Sequence, residues 1–352
     1  MEHQNQNVVA AERIIFLDYL RIFAFASVLI GHKLYGHVVA LANDTAAHAT
    51  PRLIAELSMP LLFGGGAGVI VFFLVSGYII THVLQTETAG EFLIKRAFRI
   101  YPLYIVAVLL EAVPPMISGR PPELVTLISQ LLLVGDLVGN YSYALNGVEW
   151  TLRLEVLFYV FMAGLRKLGI ISVYRRTLPY VFIATTLLCA YLAPIPSANI
   201  WTKGFVTIYF PFLLLGSMFY LFEKKQFGLT LLLIFTGLTL SHYFGLTALY
   251  QSRWMHLHYG MLAFLIFFGG WLWRNHLTAP PWILFLSDMT YAVYLFHNWF
   301  FAHAQVALAA FMLPMPHLDV QALIVLLIVC AFMVRNVEKP GIRLGRRVLK
   351  RY

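Results

Sequence analysis

Apolar residues run along this chain in long, nearly unbroken blocks. They fall at about 14–34, 60–84, 98–114, 150–165, 178–195, 204–222, 228–246, 254–273, 284–303 and 320–335. Each is close to the roughly 20 residues that an α-helix needs to cross a ~30 Å hydrocarbon core. One further apolar stretch, 124–138, is shorter. It lies between a proline-rich turn, Pro114-Pro115 to Pro121-Pro122, and the Gly/Tyr/Asn-rich 139–147, and it reads as re-entrant or surface-lying. The pattern predicts an all-α, polytopic membrane protein with about ten transmembrane helices.

Composition agrees. Of the 352 residues, 60% are hydrophobic and 12% charged, against about a quarter charged in a soluble domain. The net charge of +9 would admit a nucleic-acid partner, but the positions of the basic residues argue otherwise. With ten spans both termini share one side, and 18 of the 25 lysines and arginines fall there, from Arg13 through Lys95, Arg96 and Arg99 to Arg351. Lys33, Arg52, Arg120, Lys203 and Arg253 fall on the other side, and Arg21 and Arg153 lie within blocks. The positive-inside rule puts the basic side, and both termini, in the cytoplasm. A full crossing at 124–138 would move the basic stretch 166–176 outside, so it is rejected. The short polar N-terminus has no cleavage pattern, so the first span is expected to stay. Residues 1–352 read as a single membrane domain with no fused soluble domain. Cys189 and Cys330 lie in apolar blocks and offer neither a disulfide framework nor metal spacing.

Ionisable groups inside hydrocarbon are expensive, and by default they mark function. The first block carries Asp18, Arg21 and His32. Arg21 and His32 are eleven residues apart, which is about three full turns and about 16 Å along the axis, so they share a stripe. Asp18 and Arg21, at i and i+3, can pair. The second block opens with Phe63-Gly64-Gly65-Gly66-Ala67-Gly68 and runs on to Ser76-Gly77-Tyr78. Such a glycine cluster either lets another backbone approach or breaks the helix beside a cavity. Arg96 and Arg99 sit on one face at the cytoplasmic mouth of the third block. The pair suits a phosphate or pyrophosphate, although topology alone also places arginines there. Glu155 lies a few residues into the fourth block from the outer side and is not faced by Arg153 at i−2. Tyr291, Tyr294 and His297 share helix faces near the C-terminus. A buried helix–helix hydrogen bond is the simpler reading of His297.

Together these residues fall into five motifs: Leu17-Asp18 through Arg21 to His32 with ten residues between the last two; Phe72-Phe73 to Ser76-Gly77; Arg96 and Arg99 followed by Tyr101-Pro102; Trp150, Leu152, Glu155 and Phe158-Tyr159; and Tyr291, Tyr294-Leu295 and His297. In this order they resemble the acyltransferase 3 family of integral membrane O-acyltransferases, over nearly the whole chain. One departure is Phe63-Gly64, where the family often has a Gly-Gly pair.

The resemblance implies transfer of an acyl group, usually acetyl from cytoplasmic acetyl-CoA as co-substrate, to a hydroxyl of an extracytoplasmic or lipid-linked saccharide, as in surface polysaccharide modification. It implies the bacterial cytoplasmic (inner) membrane, membrane lipids as surroundings and a polysaccharide synthesis or export complex as a possible neighbour, with no nucleic acid and no metal. His32 is then the base or a transient acyl carrier, with Arg21, Asp18 and Glu155 as further catalytic candidates. Arg96, Arg99, Ser76 and Tyr101 are the coenzyme A candidates. Trp150, Tyr291, Tyr294 and His297 are the acceptor-side candidates. The acceptor arrives from outside, through a continuous cavity closed in the middle by aromatic side chains. Two rivals are a secondary transporter or glycan flippase, which would show similar midplane charges, and a structural subunit of an export complex. Consumption of acetyl-CoA separates the enzyme from the transporter.

Overall fold

The computed structural model describes residues 13–135, 144–173, 175–253, 255–311 and 317–350. In chain order the helices are α1 (Ile15–Leu29), α2 (Tyr35–Asn43), α3 (Ala49–Leu62), α4 (Gly66–Val83), α5 (Ala89–Ile117), α6 (Leu124–Leu131), α7 (Glu149–Lys167), α8 (Leu178–Leu192), α9 (Phe205–Glu223), α10 (Leu229–Tyr250), α11 (His258–Leu272), α12 (Pro281–Phe296), α13 (Trp299–Ala309), α14 (Leu318–Met333) and α15 (Lys339–Leu349). Among the described residues there is no strand. Among the described residues, six helical stretches are long and apolar enough to cross a membrane: Ile15–Asn43, Ala49–Val83, Ala89–Ile117, Phe205–Glu223, Leu229–Tyr250 and Leu318–Leu349. Shorter apolar helices are α11, α12 and α13. The all-α polytopic class is as expected.

The centre is a packing of α1, α4 and α9. Helix α9 is apolar on every face and buried from Ile208 almost without a break to Leu221, the signature of a helix surrounded by others. Lipid gives helices no hydrophobic reason to associate, so close approach through small residues supplies the contact. A Cβ on Gly77 would lie 1.8 Å from the Leu213 carbonyl oxygen, and one on Gly216 would lie 2.0 Å from that of Leu74. Ser217 Oγ donates to the Gly77 carbonyl across the same seam at 3.1 Å. At Gly64 and Gly65 the glycine stretch does the other job. Their φ values of +57° and +67° are left-handed, which ends α3 and restarts the chain as α4.

That break shapes the first helix. Gly31 fits against it so closely that a Cβ would lie 2.2 Å from the Leu62 carbonyl. Here α1 passes through a π turn, Ile30–Leu34, into α2. Single π turns inside α-helices often occur at functional sites, and this one contains His32.

Several boundaries differ from the apolar blocks. Block 60–84 is two helices, for the glycine reason above. Block 284–303 is divided at His297-Asn298, where the His297 ring turns back onto the Tyr294 carbonyl at 2.7 Å. The proline-rich turn begins only at Ser118, because α5 carries Pro114 and Pro115 inside its last turn. Helix α6 spans eight residues, about 12 Å at 1.5 Å per residue, too short to cross. Residues 136–138 of that expected segment, and most of 139–147, lie outside the described residues. The last block continues beyond 335 through a second π turn into α15.

Ion pairs mark the two ends of the bundle. At one end are Arg13–Asp288 (3.3 Å), Lys339–Asp288 (3.1 Å), Lys95–Glu87 (2.7 Å) and Arg274–Glu223 (3.0 Å). At the other is His37–Asp319 (2.6 Å). Arg13 and Lys339 share Asp288, so the two ends of the described chain meet at the basic end.

The glycine seam can be tested. Gly77→Val should lower stability by about 1–3 kcal/mol or more through overpacking. Gly237→Ala, in α10 with nothing within 4 Å of the new Cβ, should leave the melting temperature in detergent unchanged or raise it. Equal losses from both would show that the α4–α9 contact does not carry the packing.

Candidate active site

The site begins with a buried carboxylate. Asp18, in the first turn of α1, is 1% exposed and cannot remain charged there without partners. It has them. Arg13 donates to it from Nε at 2.8 Å and Nη2 at 3.0 Å, and Ser287 Oγ donates at 2.6 Å. Arg21 Nη1 lies 3.8 Å away. The Asp18 hydrogen bond, outweighing partial burial, holds the Arg13 guanidinium above its usual pKa. Asp18 thereby fixes the heads of Arg13 and Arg21 on the wall of a cavity of about 200 Å³ at the basic end. Arg99, Ser287, Asp288, Glu338 and Lys339 complete this vestibule. Arg96 stands behind it, with its guanidinium over the rings of Phe92 (5.3 Å) and Tyr159 (5.8 Å) and its Nε buried without a partner.

Arg21 is also the inner end of a second, narrow cavity of about 30 Å³. Ala24, Phe25, Gly68, Phe72, Thr151, Tyr291 and Tyr294 line it. Phe72 and Tyr294 are parallel with centroids 6.3 Å apart. Tyr291 donates to the Ile100 carbonyl at 2.9 Å, and Tyr294 is bonded to Thr151 Oγ1 at 2.6 Å. Both tyrosines are therefore held in place as walls.

Val28, Val69 and Tyr294 belong both to this constriction and to a third cavity of about 680 Å³ beyond it. Here the walls are aromatic, with Phe63, Trp150, Trp201, Phe205, Tyr209 and Tyr259, and the polar groups are His32, Thr202, Arg253, His256 and Asn298. Trp150 packs on Phe205 and Tyr209, with centroids 4.3 and 5.2 Å away. The turn into α7 that presents Trp150 is pinned by Glu111, which accepts from the Leu145 backbone N–H, and by Gly147 at φ +84°.

His32 opens on this cavity, and its hydrogen bonds fix its tautomer. His297 Nδ1 lies 2.7 Å from the Tyr294 carbonyl, which can only accept, so Nδ1 carries a proton. In neutral His297 the lone pair is then on Nε2, 2.9 Å from His32 Nδ1. His32 Nδ1 must donate to it, and His32 Nε2 keeps its own lone pair. The rings stack at 5.1 Å. This is the arrangement of a general base oriented by a second group.

The structure brings some sequence candidates together and separates others. His32, His297, Tyr294 and Trp150 meet at the outer cavity, and Tyr291 lies just inside it. Arg21 and Asp18 do not reach His32; they build the vestibule with Arg99. Glu155 is buried, accepting from Ser76 Oγ at 3.0 Å and from the Tyr159 hydroxyl. It touches neither His32 nor the outer cavity, and Ser76 is spent on it. Tyr101 packs edge-on to Tyr104 at 6.4 Å and lines none of the three cavities. Sequence reasoning missed Arg13, Ser287, Asp288, Glu338 and Lys339 as vestibule residues. Ser287-Asp288 stood beside the Tyr291 motif and was the available signal. Separately, His37, His317 and Asp319 bring metal-ligand atoms within 4.8 Å of one another at the outer end, away from His32.

The chain belongs to the acyltransferase 3 family: the model of its acyltransferase domain matches residues 14–335. The exopolysaccharide production protein ExoZ of Rhizobium meliloti (strain 1021) is 34% identical over 108 residues, 28% of this chain and 34% of that protein. Nodulation protein 10 of Rhizobium leguminosarum bv. viciae is 26% identical over 186 residues, 53% of this chain and 39% of that protein. The chain thus spans less than half the length of these curated relatives. No solved structure matches it.

His297 is a positioning residue on this account. His297→Ala should lower kcat for acyl transfer about 10–100-fold, as loss of an orienting partner does, while leaving the donor KM near its wild-type value. Unchanged kcat in a folded variant would remove the paired-histidine argument.

Proposed function

We propose that the chain takes an acetyl group from acetyl-CoA in the cytoplasm and places it on a hydroxyl of an extracytoplasmic or lipid-linked saccharide, within a bacterial inner membrane. One observation carries this reading. A cationic vestibule, a narrow channel and an aromatic cavity lie end to end, sharing Arg21 at one junction and Tyr294 at the other. Each part suits one part of the chemistry. Arginines recognise phosphate by charge and by their planar fork, so Arg13, Arg21 and Arg99 receive the donor's diphosphate. The middle cavity, about 30 Å³ as it stands, has room for little more than a water, so Phe72 and Tyr294 must move apart to pass a thin chain such as pantetheine. The span from Arg21 to His32, about 16 Å, is of the same order as that extended arm. The large cavity offers flat rings for the C–H faces of a sugar, with Asn298, Arg253 and Thr202 for its hydroxyls.

The reaction is a plain acyl transfer. His32 Nε2 takes the proton of the acceptor hydroxyl as its oxygen attacks the thioester carbonyl. The new C–O bond forms, the C–S bond breaks, and the thiolate leaves and receives the proton from His32. His297 accepts from His32 Nδ1 throughout and holds the ring in place. The acetyl group crosses while the nucleotide end of the donor stays at the basic end. The name of the ExoZ relative, an exopolysaccharide production protein, supports a polysaccharide-related acceptor and a setting beside polysaccharide synthesis or export machinery.

Purified protein should consume acetyl-CoA in detergent, and His32→Ala should lower that rate about 10²–10⁴-fold, the usual contribution of a general base. A transporter or flippase would not consume the thioester. Arg99→Ala should raise the donor KM, more at low salt because the group is near solvent, and Arg99→Lys should rescue only partly. A folded His32→Ala variant turning over at the wild-type rate would contradict the mechanism.

A further inference from the structure

The vestibule does not end at Lys339. Lys339 and Ile342 also wall a second, open groove of about 700 Å³, whose remaining polar lining is Arg335, Asn336, Arg343 and Arg346. The groove exists because α15 is docked by its small residues. A Cβ on Gly341 would lie 2.8 Å from Pro102 Cγ, and one on Gly345 would lie 2.6 Å from Phe98 Cβ. Both glycines therefore face α5, at Pro102 one turn beyond Arg99 and at Phe98 next to it. At about 100° per residue, Lys339 and Arg343 lie on the opposite face of α15 from Gly341. The positive-inside rule accounts for basic residues at this end, but not for their forming the wall of a groove continuous with the vestibule. Inside the junction, Glu338 is 5% exposed and its Oε2 has no partner. A buried acceptor left open in this way calls for a donor N–H or O–H.

A ligand matching this surface has one phosphate cluster at the channel mouth and a second anionic group further out. Coenzyme A carries a diphosphate next to pantetheine and a separate phosphate on the adenosine 3′-oxygen. With the diphosphate at Arg13, Arg21 and Arg99, the adenosine emerges past Lys339. We propose that the α14–α15 groove binds the 3′-phosphoadenosine end of the donor, and that Arg343 and Arg346 select donors bearing the 3′-phosphate. This rests on the acetyl-CoA reading above.

The test compares acetyl-CoA with 3′-dephospho-acetyl-CoA, in wild type and in an Arg343→Ala/Arg346→Ala variant. The wild type should favour acetyl-CoA by about tenfold or more in KM, the factor expected for one charge-assisted contact. The variant should raise the acetyl-CoA KM by that factor while leaving kcat, and the KM of the dephospho donor, near wild type. Equal losses on both donors, or no preference in the wild type, would overturn the assignment. Repeating the assay in neutral and in phosphatidylglycerol-containing nanodiscs tests a lipid headgroup as occupant. A variant effect confined to the anionic discs would overturn it as well. Titration with adenosine 3′,5′-bisphosphate separates this inference from the one it rests on. If wild type consumes no acetyl-CoA yet binds the bisphosphate, and the variant does not bind it, the acetyl-CoA reading fails and the groove stands. If neither consumption nor binding is seen, both fail.

Discussion

Asp18 is the constraint from which the rest of this site follows. A carboxylate 1% exposed in the first turn of a membrane helix must be matched, and its partners come from three places. Arg13 lies outside α1, Arg21 is one turn further along it, and Ser287 is on α12. The match therefore ties α1 to α12 and aims two guanidinium groups into one vestibule. Asp288, next to Ser287, takes up Arg13 and Lys339 and brings the start of α15 to the same place. Two carboxylates, buried Asp18 and Asp288 beside it on α12, thus gather the cations at the floor of the channel.

The outer end obeys the same accounting in neutral form. His297 is buried, and its two ring nitrogens are committed to the Tyr294 carbonyl and to His32. That leaves one unprotonated nitrogen, on His32, facing the cavity. The glycine break at Gly64 and Gly65 packs against Gly31, where α1 passes into a π turn. A local backbone irregularity is used to present a side chain at membrane depth, which is tolerated only where protein or a cavity surrounds it.

Much of this was legible in the sequence because it depends on short range. Block length gave the helical class, and the spacing of Arg21 and His32 put both on the cavity side of α1. The position of Arg99 marked the basic mouth. What was not legible depends on contacts between distant residues. Nothing near His32 reveals that its partner is 265 positions away. Arg13 and Lys339 look like topology signals until Asp288 joins them. Glu155 looked like part of the reacting centre because a carboxylate at depth needs a partner, but the partners are Ser76 and Tyr159, and the pairing is local to α4 and α7. The break at His297 and the docking of α15 were hidden because apolar periodicity reports burial and is silent on side-chain back-bonding and glycine seams.

The central claim is that the channel carries an acetyl group from the basic end to His32. Sealed vesicles of known orientation, loaded with saccharide acceptor on one side and given labelled acetyl-CoA on the other, test it directly. The account predicts label on the acceptor only when acetyl-CoA is supplied on the face where Arg13 and Lys339 meet and the acceptor is on the opposite face. Transfer supported by acetyl-CoA from the His32 face alone would contradict it.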